Sequence, residues 1–309
     1  MKRAESPSLR ETLRGVRGQL ESAGIESAGA EAERLVAHVL GLERSKLGLG
    51  AAEPFPPGAA RDLARLVARR AAGHPLQHLE GTVAFRDLVL RADGRALIPR
   101  PETEELVELV ARELHARSDA SPVRAVLRPG ASGSPAGTAL DIGAGSGAIA
   151  LSLVAEGLAH HVLALDVSEE ALAQARENLE LAGLDPARVE LRLSGSDPFE
   201  ALEADERFDL LVSNPPYVRD GDIDGLPVEV REHEPRVALA GGPDGLDLVR
   251  TIAARGVEAL RPGGRLFLEI GADHGPEATA LFDAAGGWAR VARHADLSGR
   301  DRFLTARRR

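Results

Sequence analysis

Apolar residues recur every three or four positions through the first 73 residues of the chain. Leu9, Leu13, Val16 and Leu20 form one stripe, which stops at Gly24. Leu35, Val36, Val39 and Leu40 form a second before Gly41, and Leu63, Leu66 and Val67 a third before Gly73. This spacing gathers apolar side chains on one helix face, and a following glycine suits a helix C-terminus. Three to five short helices in a small bundle are predicted. From Gly81 the period changes: Val83, Phe85, Leu88 and Leu90 precede an Asp93-Gly94 pair, and Leu97 and Ile98 follow it. Asp-Gly between apolar runs is a strong hairpin signal, so a β-hairpin linker is expected over 81–100. A new helix should open at Pro101, with Glu102, Glu104 and Glu105 at the positive end of its dipole, and run to about Arg117. Residues 118–137 collect Ser, Pro, Gly and Ala without a period and read as a flexible insertion.

Strand and helix patterns alternate after the insertion. Strands are predicted at 138–142, 161–166, 189–193, 208–213, 264–270, 288–294 and 302–306, and helices at about 147–157, 169–182, 244–260 and 274–286. Such alternation implies a largely parallel sheet covered on both faces. The expected organisation is a helical domain over 1–80, the linker over 81–100 and an α/β domain over 101–309. In α/β folds of this kind ligands bind beyond the C-terminal strand ends, so the chemistry belongs in the loops that follow the strands.

Composition narrows the chemistry. The 309 residues suit roughly two domains of about 150 residues, and 43% hydrophobic with 28% charged residues is a globular profile. The chain has no Cys, which excludes disulfides, thiolate metal sites and Cys nucleophiles. No apolar run is long enough to span a membrane, and Met1 to Arg10 is too polar for a signal peptide, so a soluble cytoplasmic protein is expected. The net charge of −10 is uneven: residues 1–90 sum to +2 and the remainder to −12. An acidic larger part argues against direct nucleic-acid binding, which needs a basic footprint. His74 and His78 have a metal-ligand spacing, but Pro75 lies between them and no third ligand is evident, so no metal site is expected. Arg307 to Arg309 read as a frayed tail.

Two segments carry the chemistry. The first, Asp141-Ile-Gly143-Ala144-Gly145-Ser146-Gly147, follows an apolar strand and opens a helix. Glycines allow a tight turn and a close ligand approach, and the helix N-terminus offers free N–H groups. Asp166 ends the next strand, where an acid can bond ribose hydroxyls. Together they point to a nucleoside cofactor. Gly143, Gly145 and Ala148 also satisfy the dinucleotide pattern, which stays open here, while the three alternating glycines resemble the S-adenosylmethionine loop of class I methyltransferases.

The second segment is an apolar strand ending in Asn214-Pro215-Pro216-Tyr217, which joins one of the two Asn residues of the chain to its single Tyr. Consecutive prolines fix φ and lack N–H donors, so the turn is rigid and its carbonyls remain acceptors. The Asn side-chain oxygen and a proline carbonyl can both accept from one –NH2 group. Such a nitrogen is a poor nucleophile because its lone pair is delocalised. Two fixed acceptors orient it and stabilise the positive charge that develops on attack at a methyl group. The ring of Tyr217 offers a flat surface to a planar substrate.

Asn-Pro-Pro-Tyr resembles the motif of methyltransferases acting on planar amino nitrogens, among them DNA adenine enzymes and protein glutamine enzymes. Further segments resemble the peptide chain release factor N5-glutamine methyltransferase (HemK/PrmC) family: Arg70 through Gly81 with Phe85, Leu97-Ile-Pro-Arg100-Pro101-Glu102-Thr103-Glu104, and Glu234-Pro235 with Ala238-Leu239. Gly242-Pro-Asp244-Gly245, Glu269-Ile-Gly271 and Asp296 through Arg302 fit the same family. The resemblance implies a class I S-adenosylmethionine-dependent methyltransferase fold, Rossmann-like with a mostly parallel sheet, behind a helical domain that recognises substrate. It implies S-adenosylmethionine as cofactor, and methyl transfer to the glutamine of the Gly-Gly-Gln motif in class I release factors. An adenine N6-methyltransferase on DNA or RNA is the alternative. By the resemblance Gly143, Ala144, Gly145, Ser146, Gly147, Asp166, Pro198 and Asn214 hold the cofactor. Asn214, Pro215, Pro216 and Tyr217 hold the glutamine, with Asn214, Pro215 and Tyr217 acting in catalysis. Arg100, Glu102 and Thr103 close over the cofactor. Pro198 stands where the family usually has an aromatic residue near the adenine, and Phe199 follows it. A monomer without membrane contact is expected.

Overall fold

The computed structural model describes residues 7–48, 50–115 and 136–309. The expected insertion lies outside the described residues, apart from Ala136 and Gly137, which open a strand. The chain forms two compact units: Met1–Gly81 with Pro227–His233, and Thr82–Leu226 with Glu234–Arg309.

The first unit is helical, with α1 (Leu9–Ser22), α2 (Ala28–Leu40), α3 (Pro57–Ala71) and the short α4 (Leu76–Glu80). Ser8 starts α1 through a capping box: its hydroxyl accepts from the Glu11 N–H while the Glu11 carboxylate accepts from the Ser8 N–H. Two backbone donors that the first helical turn leaves open are thereby satisfied. The stripes read from the sequence form one core, including Leu20, Leu35, Val36, Val67 and Leu79. Buried Arg70 donates to Glu31 (2.5 and 3.1 Å), to Glu229 (2.7 Å) and to the His74 carbonyl (3.1 Å). Burial acts against both charges, but this pairing holds Arg70 above and Glu31 below their ordinary pKa values. Glu229 belongs to a single helical turn, Val228–Arg231, in the returning segment. In the same segment the His233 ring lies 4.1 Å from that of His74.

The second unit begins with a hairpin of β1 (Thr82–Phe85) and β2 (Leu88–Arg91). The hairpin turns at Arg86-Asp87 and not at Asp93-Gly94. Arg86 takes a positive φ of 52° and its guanidinium pairs with Glu156 and Glu108. Asp93-Gly94 instead forms a turn in which the Asp93 carboxylate accepts from the Arg95 N–H, and Leu97 and Ile98 join no strand.

The main sheet contains β3 (Ala136–Ile142), β4 (Ala159–Asp166), β5 (Val189–Leu193), β6 (Phe208–Ser213), β7 (Leu260–Glu269), β8 (Trp288–Ala295) and β9 (Asp301–Arg308). Their order is β5-β4-β3-β6-β7-β9-β8. The first five are parallel, and β9 runs antiparallel between β7 and β8. Alternate residues of each strand point to opposite faces. Ala139, Val162, Leu210 and Phe267 pack with α5 (Pro101–His115), α6 (Ala148–Ala155) and α7 (Glu169–Leu181). Leu140, Leu163, Leu211 and Leu266 pack with α8 (Asp247–Ala259) and α9 (Gly275–Ala285). Arg307 and Arg308 are not a frayed tail. They complete β9, opposite Arg265 and Trp288, and Arg307 donates to the Gly263 carbonyl at 3.1 Å.

Candidate active site

Strand order fixes where a ligand can enter. From β3 the chain builds outward to β4 and β5 on one side and to β6 and β7 on the other, so the connections diverge at β3 and leave a crevice between β3 and β6. Ile142 pairs with Ser213 in register, which sets Gly143 beside Asn214 just past the strand ends. Ser213 also pairs with Leu268, which sets Glu269 beside Asn214 on its other flank. A mostly apolar cavity of about 540 Å³ opens there, within the range of small-molecule sites.

The glycine loop forms one wall. The N–H groups of Gly143 and Ala144 both donate to the Leu165 carbonyl, while Gly143 and Gly145 take φ values of 77° and 53° that suit residues without Cβ. Gly143, Ala144, Gly145 and Ser146 line the cavity. Gly147 does not; it caps α6 and packs against Ala175 and Leu151. Behind the loop the fully buried Asp141 accepts from the Ala150 N–H at 3.0 Å, and burial pushes its carboxyl up to about 7. Asp166 lines the cavity, accepting from the N–H of Gly145 (2.7 Å) and of Ser168 (2.9 Å). Burial raises its pKa despite these bonds. The Val167 N–H acts on the same carboxylate, whose roughly four lone-pair sites still leave room for a hydroxyl donor.

Beyond β5 the wall continues through Ser194, Gly195, Ser196 and Pro198. Phe199 does not substitute for the missing aromatic residue. Its ring is buried in the core, with the Arg255 guanidinium 5.6 Å from its centroid. The Pro198 ring is therefore the surface offered at this position.

Asn214 and Pro216 line the cavity, whereas Pro215 is buried and Tyr217 stands behind the lining. The turn is clamped from outside. A Cβ on Gly241 would lie 2.6 Å from the Pro216 carbonyl oxygen, and one on Gly245 would overlap that of Tyr217. Val218 anchors the end of the turn through two backbone hydrogen bonds, donating to the Leu239 carbonyl and accepting from the Gly241 N–H. No hydrogen bond among the described residues reaches the Pro215 carbonyl or the Asn214 Oδ1. Both acceptors are unengaged, that of Asn214 on the cavity wall and that of Pro215 next to it in the turn.

Arg100 and Thr103 also line the cavity, and Glu102 does not. Both Glu234 oxygens accept from Arg100 at 2.7 Å. Thr103, 4% exposed, lies against Asn214: its Oγ1 accepts from Asn214 Nδ2 at 3.0 Å and donates to Glu269 Oε2 at 2.8 Å. The Tyr217 hydroxyl donates to Glu269 Oε1 at 3.2 Å. Burial pushes Glu269 up to about 7, against the opposing pull of Thr103, Arg302 and Tyr217. Burial raises the Tyr217 hydroxyl as well, so it stays a donor. Arg302 sits 6.0 Å from the Tyr217 ring centre. The Asp296–Arg302 segment delivers it there: Asp296 accepts from the N–H groups of Ser298 and Arg300, closing the turn into β9.

The sequence reading assigned Glu269 no role of its own and the Tyr217 hydroxyl none. The end of a parallel strand adjacent to the Asn-Pro-Pro-Tyr strand was the available signal. Val167, Ala171, Leu248 and Thr251 also line the cavity, and nothing in their local sequence marks them.

Comparisons with known proteins show which family the chain falls in. Residues 11–81 match the family described as PrmC N-terminal domain, and residues 126–228 match Methyltransferase small domain. The release factor glutamine methyltransferase of Cereibacter sphaeroides is 41% identical over 96% of this chain and 97% of its own. That of Deinococcus radiodurans is 41% identical over 97% of this chain and 98% of its own. Among solved structures, a Thermus thermophilus 16S rRNA N2 G1207 methyltransferase with AdoMet and guanosine aligns at a TM-score of 0.47 and 21% identity, over 74% of this chain and 50% of that one. At 41% identity over nearly the full length of two such enzymes, and with matches to both family models, the chain belongs to the release factor glutamine methyltransferase family.

Proposed function

We propose that the protein transfers a methyl group from S-adenosylmethionine to the side-chain amide nitrogen of the glutamine in the Gly-Gly-Gln motif of class I peptide chain release factors. The observation that carries this reading is the pair of unengaged acceptors, Asn214 Oδ1 and the Pro215 carbonyl, in a clamped turn beside the glycine-loop cavity. The cavity fits the cofactor. Its glycine wall leaves backbone open to close approach, and Asp166 offers acceptors to ribose hydroxyls. When bound, the cofactor supplies a methyl group on a positively charged sulfur. Gly143 to Ser146, Asp166 and Pro198 hold it, with Gly147 shaping the loop.

Asn214 and Pro215 accept the two N–H groups of the substrate amide and aim its nitrogen at the methyl carbon. The bound cofactor would supply its methyl carbon to that nitrogen, and the surplus N–H proton would be released to water. No general base is needed before attack. Charge on the nitrogen rises in the transition state, so the two acceptors bind that state more tightly than the ground state. Pro216 and the Tyr217 ring support the planar amide. The helical unit, with residues 1–80 at its centre, is read as the part that recognises the protein substrate. The protein is further read as a cytoplasmic monomer without direct nucleic-acid contact. No helix among the described residues is long and apolar enough to cross a membrane.

The test is transfer of labelled methyl from S-adenosylmethionine to purified release factor, its Gln→Ala variant and duplex DNA in parallel. Label on the wild-type factor alone is expected. Label on DNA alone would make the adenine reading the correct one.

A further inference from the structure

The Asn214 amide has two ends, and only one is useful. Its oxygen can accept from a substrate –NH2, whereas its own –NH2 would repel it. Nothing in the shape of an amide decides between them; hydrogen-bond partners do. Here the partner is Thr103 Oγ1, which accepts from Nδ2 at 3.0 Å because its own proton is committed to Glu269 at 2.8 Å. Glu269 is wholly buried at the end of β7, and both of its oxygens are engaged, one by Thr103 and one by Tyr217.

We propose that Thr103 and Glu269 are positioning residues which set the polarity of the Asn214 amide, holding Oδ1 toward the substrate nitrogen. This rests on the functional reading above. The chain of donors runs one way, from Asn214 to Thr103 to the carboxylate, and an ionised Glu269 is its fixed acceptor. If Glu269 takes up a proton it becomes a donor, and the order can reverse: Glu269 to Thr103, and Thr103 to Asn214 Oδ1. The amide then turns its –NH2 into the cavity and binds no substrate amine.

The groups acting on Glu269 are Thr103 and Glu102 from α5, Tyr217 beyond β6 and Arg302 from β9, with Arg100 acting on Tyr217. Burial and Glu102 favour the protonated form; Thr103, Arg302 and Tyr217 favour the ionised one. The balance lies at about 7, so the device switches near neutral pH.

Two measurements on the full-length protein test this. The first does not depend on turnover. The chain has two Asn residues, Asn178 and Asn214, so protein labelled with ¹⁵N only at Asn shows two side-chain amide pairs. Thr103→Val, which keeps the shape and removes the hydroxyl, is expected to shift one pair and leave the other, held by the Ser146 carbonyl, in place. Thr103→Ser is expected to restore the shifted pair. The second measurement is kinetic, with release factor as substrate. Thr103→Val should lower kcat roughly tenfold to a hundredfold, the scale of a misplaced reacting group, while KM for release factor stays within about twofold. Thr103→Ser should recover most of it. In the wild type kcat should rise with pH through an inflection near 7, and Glu269→Gln, which cannot titrate, should lose that inflection.

Wild-type kcat in Thr103→Val, or an inflection near 7 that survives in Glu269→Gln, overturns the proposal. An amide pair that moves in Thr103→Val and returns in Thr103→Ser, in a protein that does not methylate release factor at all, upholds the polarity device and instead sinks the substrate assigned to it.

Discussion

Asn214 does two jobs with one amide. Its nitrogen is spent on Thr103, and on the function proposed above its oxygen is kept for substrate. Asn214→Ala removes that oxygen, and the expected loss is about 2–4 kcal/mol of transition-state stabilisation, as for an oxyanion-hole donor. Single-turnover methylation of release factor measures it, and turnover at the wild-type rate would remove Asn214 from the mechanism. Tyr217 divides similarly into ring and hydroxyl. The sequence pointed to the ring alone, because aromaticity at a strand end is visible in one dimension. The bond from its hydroxyl to Glu269, 52 positions away, is not. Tyr217→Phe should therefore be milder than Tyr217→Ala but not silent. Loss of a donor that favours the ionised carboxylate raises the Glu269 pKa, so the inflection in kcat should move to higher pH. An unmoved inflection in Tyr217→Phe would mean that the hydroxyl contributes nothing.

At the scale of elements, the strands of the main sheet were readable to within about four residues at their ends, since a continuous apolar run reports burial on both faces of a parallel sheet. The register that joins them was not readable. Glu269 faces Asn214 only because β7 pairs with β6 and Leu268 stands opposite Ser213. The hairpin shows the limit from another side. Asp93-Gly94 has the better local chemistry for a turn, yet Arg86 accepts a positive φ because its guanidinium gains Glu156 and Glu108. Tertiary pairing outweighs local preference there. The turn made by Gly241 to Gly245 is an element whose glycines act on a neighbour. Gly245 has a φ of 78° and its missing Cβ leaves room for the Tyr217 carbonyl. Gly245→Ala should cost about 1–3 kcal/mol in stability from overpacking alone, with a larger proportional fall in kcat than in cofactor affinity. Thermal unfolding, cofactor titration and the methylation rate on the same sample would check this, and a fall in kcat no larger than that in cofactor affinity would mean that the turn serves stability only.

For the whole molecule, pH acts through groups far from the surface. Asp141 is fully buried behind the cofactor loop, with a carboxyl pushed from 3.8 up to about 7. The native state therefore holds a proton that the unfolded chain has already released between about pH 4 and 7. The stability this group contributes is complete below about pH 4 and is lost as pH rises through 7. Asp141→Asn does not titrate, so the wild-type advantage over it in unfolding free energy should shrink with rising pH, by up to about 1.4 kcal/mol per pH unit in that window. Paired denaturation curves at pH 5 and 8 would measure the change, and an advantage that grows with pH would contradict it. The paired Glu31 works in the opposite sense, with a lowered carboxyl whose contribution fades in acid.

The helical unit is not one stretch of chain. Pro227–His233 returns to it from the far side of the catalytic turn, bringing Glu229 to Arg70 and Val228 to within a methyl's reach of Gly73. Recombination between relatives would meet this as a hidden seam. A chimera that exchanges residues 1–81 alone carries a foreign surface beneath a native seven-residue tenon, and its Arg70 counterpart must find a new carboxylate. Moving 227–233 together with 1–81 keeps mortise and tenon from the same parent. The paired exchange should melt at a higher temperature than the single one, and ancestral swaps that survived should have moved both pieces at once.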